Sequence, residues 1–229
     1  TSAWGPLRHA IDPAIARTRD WLLEAQHADG HWVAELEGDT ILESETILLL
    51  AFLGEHRTPL ARKAAATLLE EQLSTGGWAP YPGGPMDVSA SVKAYFALKL
   101  TGHDPNSLPM SRARAAILTR GGADAVNSFT RFYLALLGQI SYDHCPAVPP
   151  EVLLLPKWAP VNLSKVSAWS RTIIVPLSIM WACRPATKIE PSLGISELFI
   201  NPPDEWPPLR CPGHSEHPPL WSWDRFFRG

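Results

Sequence analysis

Trp21-Leu22-Leu23-Glu24-Ala25-Gln26-His27-Ala28-Asp29-Gly30-His31-Trp32 returns 46 residues later as Thr67-Leu68-Leu69-Glu70-Glu71-Gln72-Leu73-Ser74-Thr75-Gly76-Gly77-Trp78. Both stretches contain Leu-Leu-Glu-x-Gln-x-x-x-Gly-x-Trp, and self-similarity at such a period marks an array of repeated structural units. Each copy reads as a helix whose end presents a glutamine (Gln26, Gln72), followed by a glycine that turns the chain sharply (Gly30, Gly76) and a tryptophan swung back (Trp32, Trp78). The glutamine amide can bond the open backbone groups of a neighbouring helix end while the indole covers it, so the unit ties successive helix termini together. A two-helix repeat of this kind builds an α-solenoid or, where the rotation closes, an α/α barrel, and the period alone does not choose between them.

Outward from the repeat, helical signals run from Asp12 to about Cys183. Asp12 before Pro13 reads as an N-cap with proline at the first helical position, and Ile15, Trp21, Leu22 and Ala25 follow at near-helical spacing. Thr40-Ile41-Leu42-Glu43 has capping-box spacing and leads into an apolar run that stops at Gly54, apolar on so many sides that it belongs inside a larger assembly. Thr58-Pro59 opens a helix to about Leu73, Asp87 caps one ending near Gly102, and shorter ones are expected at 109–119 and 124–137, with Gly138 as the stop. Residues 164–183 are again helical, with a kink expected at Pro176. No stretch alternates as a strand would. Beyond the helices, nine of the 23 prolines fall between Pro185 and Pro219, which predicts an irregular, extended wrap or linker. The aromatic cluster Trp221, Trp223, Phe226 and Phe227 demands burial.

Composition excludes several classes. A chain of 229 residues that is 45% hydrophobic and 19% charged can bury a core. A net charge of -3 with scattered lysines and arginines offers no footprint for nucleic acid. The cysteines, Cys145, Cys183 and Cys211, are odd in number and far apart, which fits a reducing compartment better than a disulfide framework. The longest apolar stretch, Thr172 to Cys183, is too short to span a bilayer, which leaves lying on a membrane surface open.

Gln-x-x-x-Gly-x-Trp at the end of a helix resembles the QW motif of squalene–hopene and oxidosqualene cyclases. Further segments look like the same family and occur in its order: Asp29-Gly30-His31-Trp32 with Glu43-x-Glu45, Tyr81-Pro82-Gly83-Gly84-Pro85, Ala94-Tyr95-Phe96-Ala97-Leu98-Lys99, Phe129-Thr130-Arg131, Val148-Pro149-Pro150-Glu151 and Trp169-Ser170-Arg171. The resemblance covers the chain from about Ala14 to at least Cys183. It implies an all-α fold, an α/α barrel (toroid) of helical-hairpin repeats with QW motifs, incomplete as given and with a Pro-rich irregular tail. Residues 1–35 are then a segment of the catalytic barrel, 36–184 part of an inserted second α/α barrel, and 185–229 the tail. It further implies an apolar cavity in which squalene or a similar polyprenoid is protonated and cyclised to hopanoids. No metal and no organic cofactor takes part, and the full-length enzyme is cytoplasmic, monotopic at the inner face of a bacterial membrane. The family's acid lies in an Asp-x-Asp-Asp motif, and none occurs in this sequence. Protonating an alkene demands a strong acid held dry, so this chain alone should be inactive and should need the carboxyl-terminal cyclase part or a partner chain.

The resemblance also assigns residues. Phe129 and Trp169 match cavity-lining aromatics whose faces stabilise carbocations, and otherwise read as core aromatics. Glu45 matches a position where the final cation is quenched through ordered water. Lys93 and Asn127 occupy neighbouring positions at which some relatives carry other groups, including a carboxylate in place of Lys93. Val166 and Ile174 match the constriction between membrane entrance and cavity, and serve equally as helix-packing residues. Two other readings stay open: a non-catalytic helical-repeat interaction module, and a carbohydrate-active α/α barrel using paired acids among Glu35, Glu37, Asp39, Glu43 and Glu45. Cys211-x-x-His214-x-x-His217 makes at most a partial zinc site, at an unusual spacing.

Overall fold

Short polar side chains fix where most helices begin. In the computed structural model, which describes residues 5–33, 38–160 and 162–206, Asp39, Thr58, Asp87, Asn127 and Ser167 each accept a first-turn N–H. The α-helices are α1 (Gly5–Ala25), α2 (Thr40–Phe52), α3 (Pro59–Glu70), α4 (Val88–Leu100), α5 (Leu108–Leu118), α6 (Ser128–Leu136) and α7 (Ala168–Cys183). Short 3-10 turns fill the connections, and no strand forms among the described residues. The fold is all-α. Two compact units result, Thr1–Glu37 and Gly38–Gly229.

Several expected boundaries move. The first helix begins at Gly5 and runs through Pro13 rather than starting there; Leu7, Ala10 and Ile11 continue the apolar spacing upstream, and a proline near a helix start is also present at Pro6. The cap of α2 is Asp39, one residue before the expected Thr40, because Asp39 Oδ1 takes the Ile41 N–H at 3.2 Å. Helix α3 ends at Glu70, short of Leu73, because the Leu73 N–H turns away to Gly77 O at 2.9 Å. The helix at Pro176 starts at Ala168, since Ser167 caps it and the Asn162 side chain donates to Lys157 O and Ala159 O and accepts the Ser164 N–H.

In the first unit α1 ends in the first clasp. Gln26 Nε2 donates to Gly30 O at 2.8 Å and Trp32 Nε1 to Leu22 O at 2.6 Å. The second unit repeats the geometry: Gln72 Nε2 donates to Gly76 O at 2.7 Å and Trp78 Nε1 to Leu68 O at 2.6 Å. Gln72 also reaches Pro109 O of α5 at 2.9 Å, as the glutamine's expected bond to a neighbouring helix end requires. The copies differ in cover: Trp78 is fully buried, whereas Trp32 is 49% exposed.

The second unit is built around α4, buried at every position from Ser89 to Leu100, with α2, α3 and α5 packed against it. The tail residues up to Trp206 lie on the same unit. Ile195 and Leu198 are fully buried, Thr187 N–H donates to Leu136 O, and Asp124 accepts the Ile200 and Asn201 N–H groups. Glu197 brings a carboxylate to α4, where Lys99 Nζ lies 2.6 Å and Tyr95 Oη 2.9 Å from its Oε1. The aromatics at 221–227 and the cysteine–histidine set at 211–217 lie outside the described residues, as do Glu35 and Glu37.

Two outcomes test this frame. Gly76 has φ +97, and a Cβ there would sit 2.6 Å from Arg112 O. Gly76→Ala should cost about 3 kcal/mol in urea unfolding, combining backbone strain with a clash against α5. Burial raises the Glu197 carboxyl, but hydrogen bonds from Lys99, from its own backbone and from Tyr95 outweigh that and leave it below its ordinary 4.5. A depressed carboxyl stabilises above its unfolded value and loses that contribution as pH falls through the folded one. The stability of the chain should therefore fall on acidification below pH 4.5, and Glu197→Gln should flatten that limb of the curve.

Candidate functional site

Glu45 emerges half-buried from α2, one turn after Leu42 and one before Leu49, both exposed. Its two oxygens are held separately. Lys93 Nζ, from α4, lies 2.6 Å from Oε1, and Tyr133 Oη, from α6, donates to Oε2 at 2.8 Å. The Lys93 side chain is 5% exposed and that of Glu45 28%, so the cation sits inside and the anion faces out. Tyr133 also sets its ring 5.8 Å from the Lys93 ammonium. Burial first, then the hydrogen bond and charge of Glu45, push the Tyr133 phenol above its ordinary value, so it remains a donor.

The other assigned residues fall into two groups. Asn127 is exposed and its side-chain oxygen caps α6 through the Thr130 N–H at 2.9 Å, while its own N–H donates to Ser89 Oγ on α4. Phe129, 52% exposed, stands one turn ahead of Tyr133 on the same face of α6. Helix α6 thus carries Phe129 and Asn127 on the element whose Tyr133 meets the Glu45–Lys93 pair. Trp169, 76% exposed, occupies the first turn of α7, with Val166 just before the cap and Ile174 further along, both half-buried. Among the described residues no hydrogen bond or ring contact joins this second group to the first.

Tyr133 is the residue that sequence reasoning missed. Its phenol meets Glu45 across 88 positions, a pairing no local period encodes. Of the acids named for the carbohydrate reading that are described, Asp39 caps α2 through the Ile41 N–H, and Glu43 and Glu45, two apart on a helix, point to different sides. Nor is there, among the described residues, a group of three His, Cys, Asp or Glu able to hold a metal.

Residues 15–229 match the family model described as the squalene-hopene cyclase N-terminal domain. The chain belongs to the squalene–hopene cyclase family. It is 43% identical over 223 residues to the squalene–hopene cyclase of Zymomonas mobilis, covering 97% of this chain and 33% of that protein. It is 36% identical to the squalene–hopene cyclase of Alicyclobacillus acidocaldarius, over 82% of this chain and 30% of that protein. The dammaradiene synthase of Dryopteris crassirhizoma is 34% identical over 83% of this chain, which matches 28% of that protein. The chain therefore spans about a third of the length of these curated relatives.

The ion pair at this site has a testable energetic signature. Glu45→Met strands the buried Lys93 ammonium and should cost about 3 kcal/mol in denaturant unfolding, whereas Glu45→Met with Lys93→Met should recover most of the loss. A fully additive pair of losses would show the two residues to be uncoupled.

Proposed function

We propose that this chain is the amino-terminal portion of a squalene–hopene-type cyclase and supplies cavity wall for proton-initiated polycyclisation of squalene to hopanoids. The observation that carries the reading is the placement of a fixed carboxylate among bare apolar side chains. Leu42 and Leu49 flank Glu45 on α2, and Phe129 lies one turn from the phenol that holds it. A polyprenoid cation needs such surroundings: walls that exclude water, aromatic faces each worth about 0.5–2 kcal/mol to a passing positive charge, and one anionic terminus. Phe129 and Trp169 are the cation-facing rings, Glu45 the terminus, and Val166 and Ile174 the apolar neck. Asn127 shapes the wall by starting α6.

The initiating acid must come from outside this chain, since no Asp-x-Asp-Asp occurs in the sequence. The first clasp supports the same reading. Gln72 and Gly76 are seated against α5, while among the described residues a Cβ on Gly30 would meet Gln26 Nε2, at 3.8 Å, within its own clasp. Residues 1–35 accordingly join the catalytic barrel, whose helices offer Gln26 and Trp32 a seat of the kind α5 gives Gln72, and 36–184 contribute to the second barrel. No helix among the described residues is long and apolar enough to cross a membrane. The complete enzyme rests peripherally, at the inner face of a bacterial membrane.

Joining this chain to the remaining two-thirds of the Zymomonas mobilis enzyme supplies the test. The hybrid should cyclise squalene, and Phe129→Ala and Trp169→Ala should lower pentacyclic product and release partly cyclised chains. Both side chains are more than half exposed, so in the unjoined chain the same substitutions should shift stability by no more than about 0.5 kcal/mol. A hybrid whose products ignore both substitutions would refute the assignment of these rings.

A further inference from the structure

We infer that Arg131 and Trp206 are positioning residues for cyclisation: the seated tail holds the foot of α6, and with it the Phe129 ring, where the passing cation needs it. The inference rests on the cyclase reading above, in which Phe129 faces that cation.

Phe129 is 52% exposed and stands in the first turn of α6, so its ring goes wherever that turn is put. Two residues on, Arg131 reaches both ways along the chain. Its Nη2 donates to Asp124 O, in the 3-10 turn Gly122–Ala125 that precedes α6, and its Nη1 to His144 O, in the turn Tyr142–His144 that follows, each at 3.1 Å. A planar guanidinium that spans two carbonyls fixes a helix in direction as well as in distance, which the point charge of a lysine does not.

The tail closes on this grip. The Trp206 ring lies 4.8 Å from the Arg131 guanidinium carbon and edge-on to His144 and Phe199, with centroids 5.4 and 5.6 Å apart, and its Nε1 donates to Asn201 O at 3.0 Å. Asp124, whose carbonyl holds Arg131, holds the tail with its carboxylate, which accepts the Ile200 and Asn201 N–H groups and the Asn201 side-chain amide. Leu198 O comes so near Gly122 that a Cβ there would stand 2.7 Å from it. Glu197 already ties the tail to α4. What residues 198–206 add is a brace on the turn, on the guanidinium and thereby on the start of α6.

That start matters because each stage of a cyclisation is a choice. The cationic carbon takes the electron pair of the next C=C, which closes a ring and moves the charge onward. Otherwise a carbon beside it gives a proton to water, its C–H pair becomes a C=C bond, and a partly cyclised hydrocarbon leaves. An aromatic face favours the first course only while it is turned to the charge. Phe129 keeps that aim through Arg131, and Arg131 through Trp206.

In the hybrid described above, Trp206→Ala, Arg131→Met and Gly122→Ala should each raise the ratio of partly cyclised to pentacyclic product about threefold or more, the factor a single ring contact commands. Trp206→Phe keeps an aromatic face on the guanidinium and should stay near the parent, whereas Arg131→Lys keeps the charge, loses the double grip and should resemble Arg131→Met. A structural role alone would lower total turnover and leave the ratio still. In the Phe129→Ala background, Trp206→Ala should change the ratio no further, because both act through one ring. Unmoved ratios, or full additivity with Phe129→Ala, overturn this inference alone. A hybrid whose products ignore Phe129→Ala, or that forms no cyclic product, overturns the cyclase reading of this ring and the inference with it. A second measurement needs no turnover. In the 229-residue chain with ring-labelled phenylalanine, Gly122→Ala should shift the Phe129 NMR signal, while that of the fully buried Phe96 stays in place and shows the fold intact. A Phe129 signal that keeps its position would cut the link between tail and ring.

Discussion

A helix with no solvent face governs the second unit. Every residue of α4 from Ser89 to Leu100 is buried, yet two of them are lysines. An ammonium group taken out of water costs several kcal/mol unless an anion and further acceptors meet it, so each lysine dictates what must stand opposite. Lys93 requires Glu45, which fixes the face that α2 turns toward α4. Lys99 requires Glu197, which fixes where the proline-rich tail comes to rest. Two ion pairs thus determine the placement of the elements before and after α4, and each pair takes a tyrosine as its second donor: Tyr133 for Glu45, Tyr95 for Glu197.

The two networks resemble each other in parts and differ in exposure to the outside. Around Glu197 the tail closes over: Ile195 and Leu198 are fully buried on either side, and Lys99 also bonds the Gly194 carbonyl. That network holds the tail to the unit. Around Glu45 no described residue closes over in that way, because the flanking residues on α2 and the preceding turn of α6 present Leu42, Leu49 and Phe129 outward. Identical chemistry therefore serves as a latch in one place and as a set anion beside an apolar face in the other. The difference comes from the neighbouring side chains and not from the pair itself.

What the sequence disclosed follows the range over which each interaction acts. Capping side chains and glycine stops act within four residues, and Thr58, Asp87 and Gly138 were legible for that reason. The clasp acts over about ten residues and repeats, so both its members and its turn were legible, down to the glutamine's reach for another helix end. Glu45 with Lys93 spans 48 positions, Glu45 with Tyr133 88, and Lys99 with Glu197 98. No period connects such residues; what brings them together is the burial of α4, a tertiary event. The resemblance to a family named Glu45 and Lys93 but carried no sign of Tyr133, since a tyrosine within Arg-Phe-Tyr-Leu reads as one more core aromatic. The start of α1 failed for a local reason: Asp12-Pro13 satisfies the rule for a helix start, and the apolar spacing upstream of it was the stronger signal.

Exposed apolar residues complete the physical picture through their spacing. Single leucines at a protein surface carry no message. Here they line up: Leu42 and Leu49 on α2 and Leu53 at its C-cap recur at helical intervals, and Trp169, Pro176 and Ile179 do so on α7. A helix that is apolar on its outer stripe as well as its inner one is built to be covered on both sides. The inner cover is α4 and its neighbours. The outer stripe of α2 is interrupted by the neutral Thr46 and the charged Glu45, and a bare carboxylate there would be costly if the stripe were covered by apolar material. Lys93 and Tyr133 offset that cost from the inner side, which lets a negative charge persist at an apolar surface.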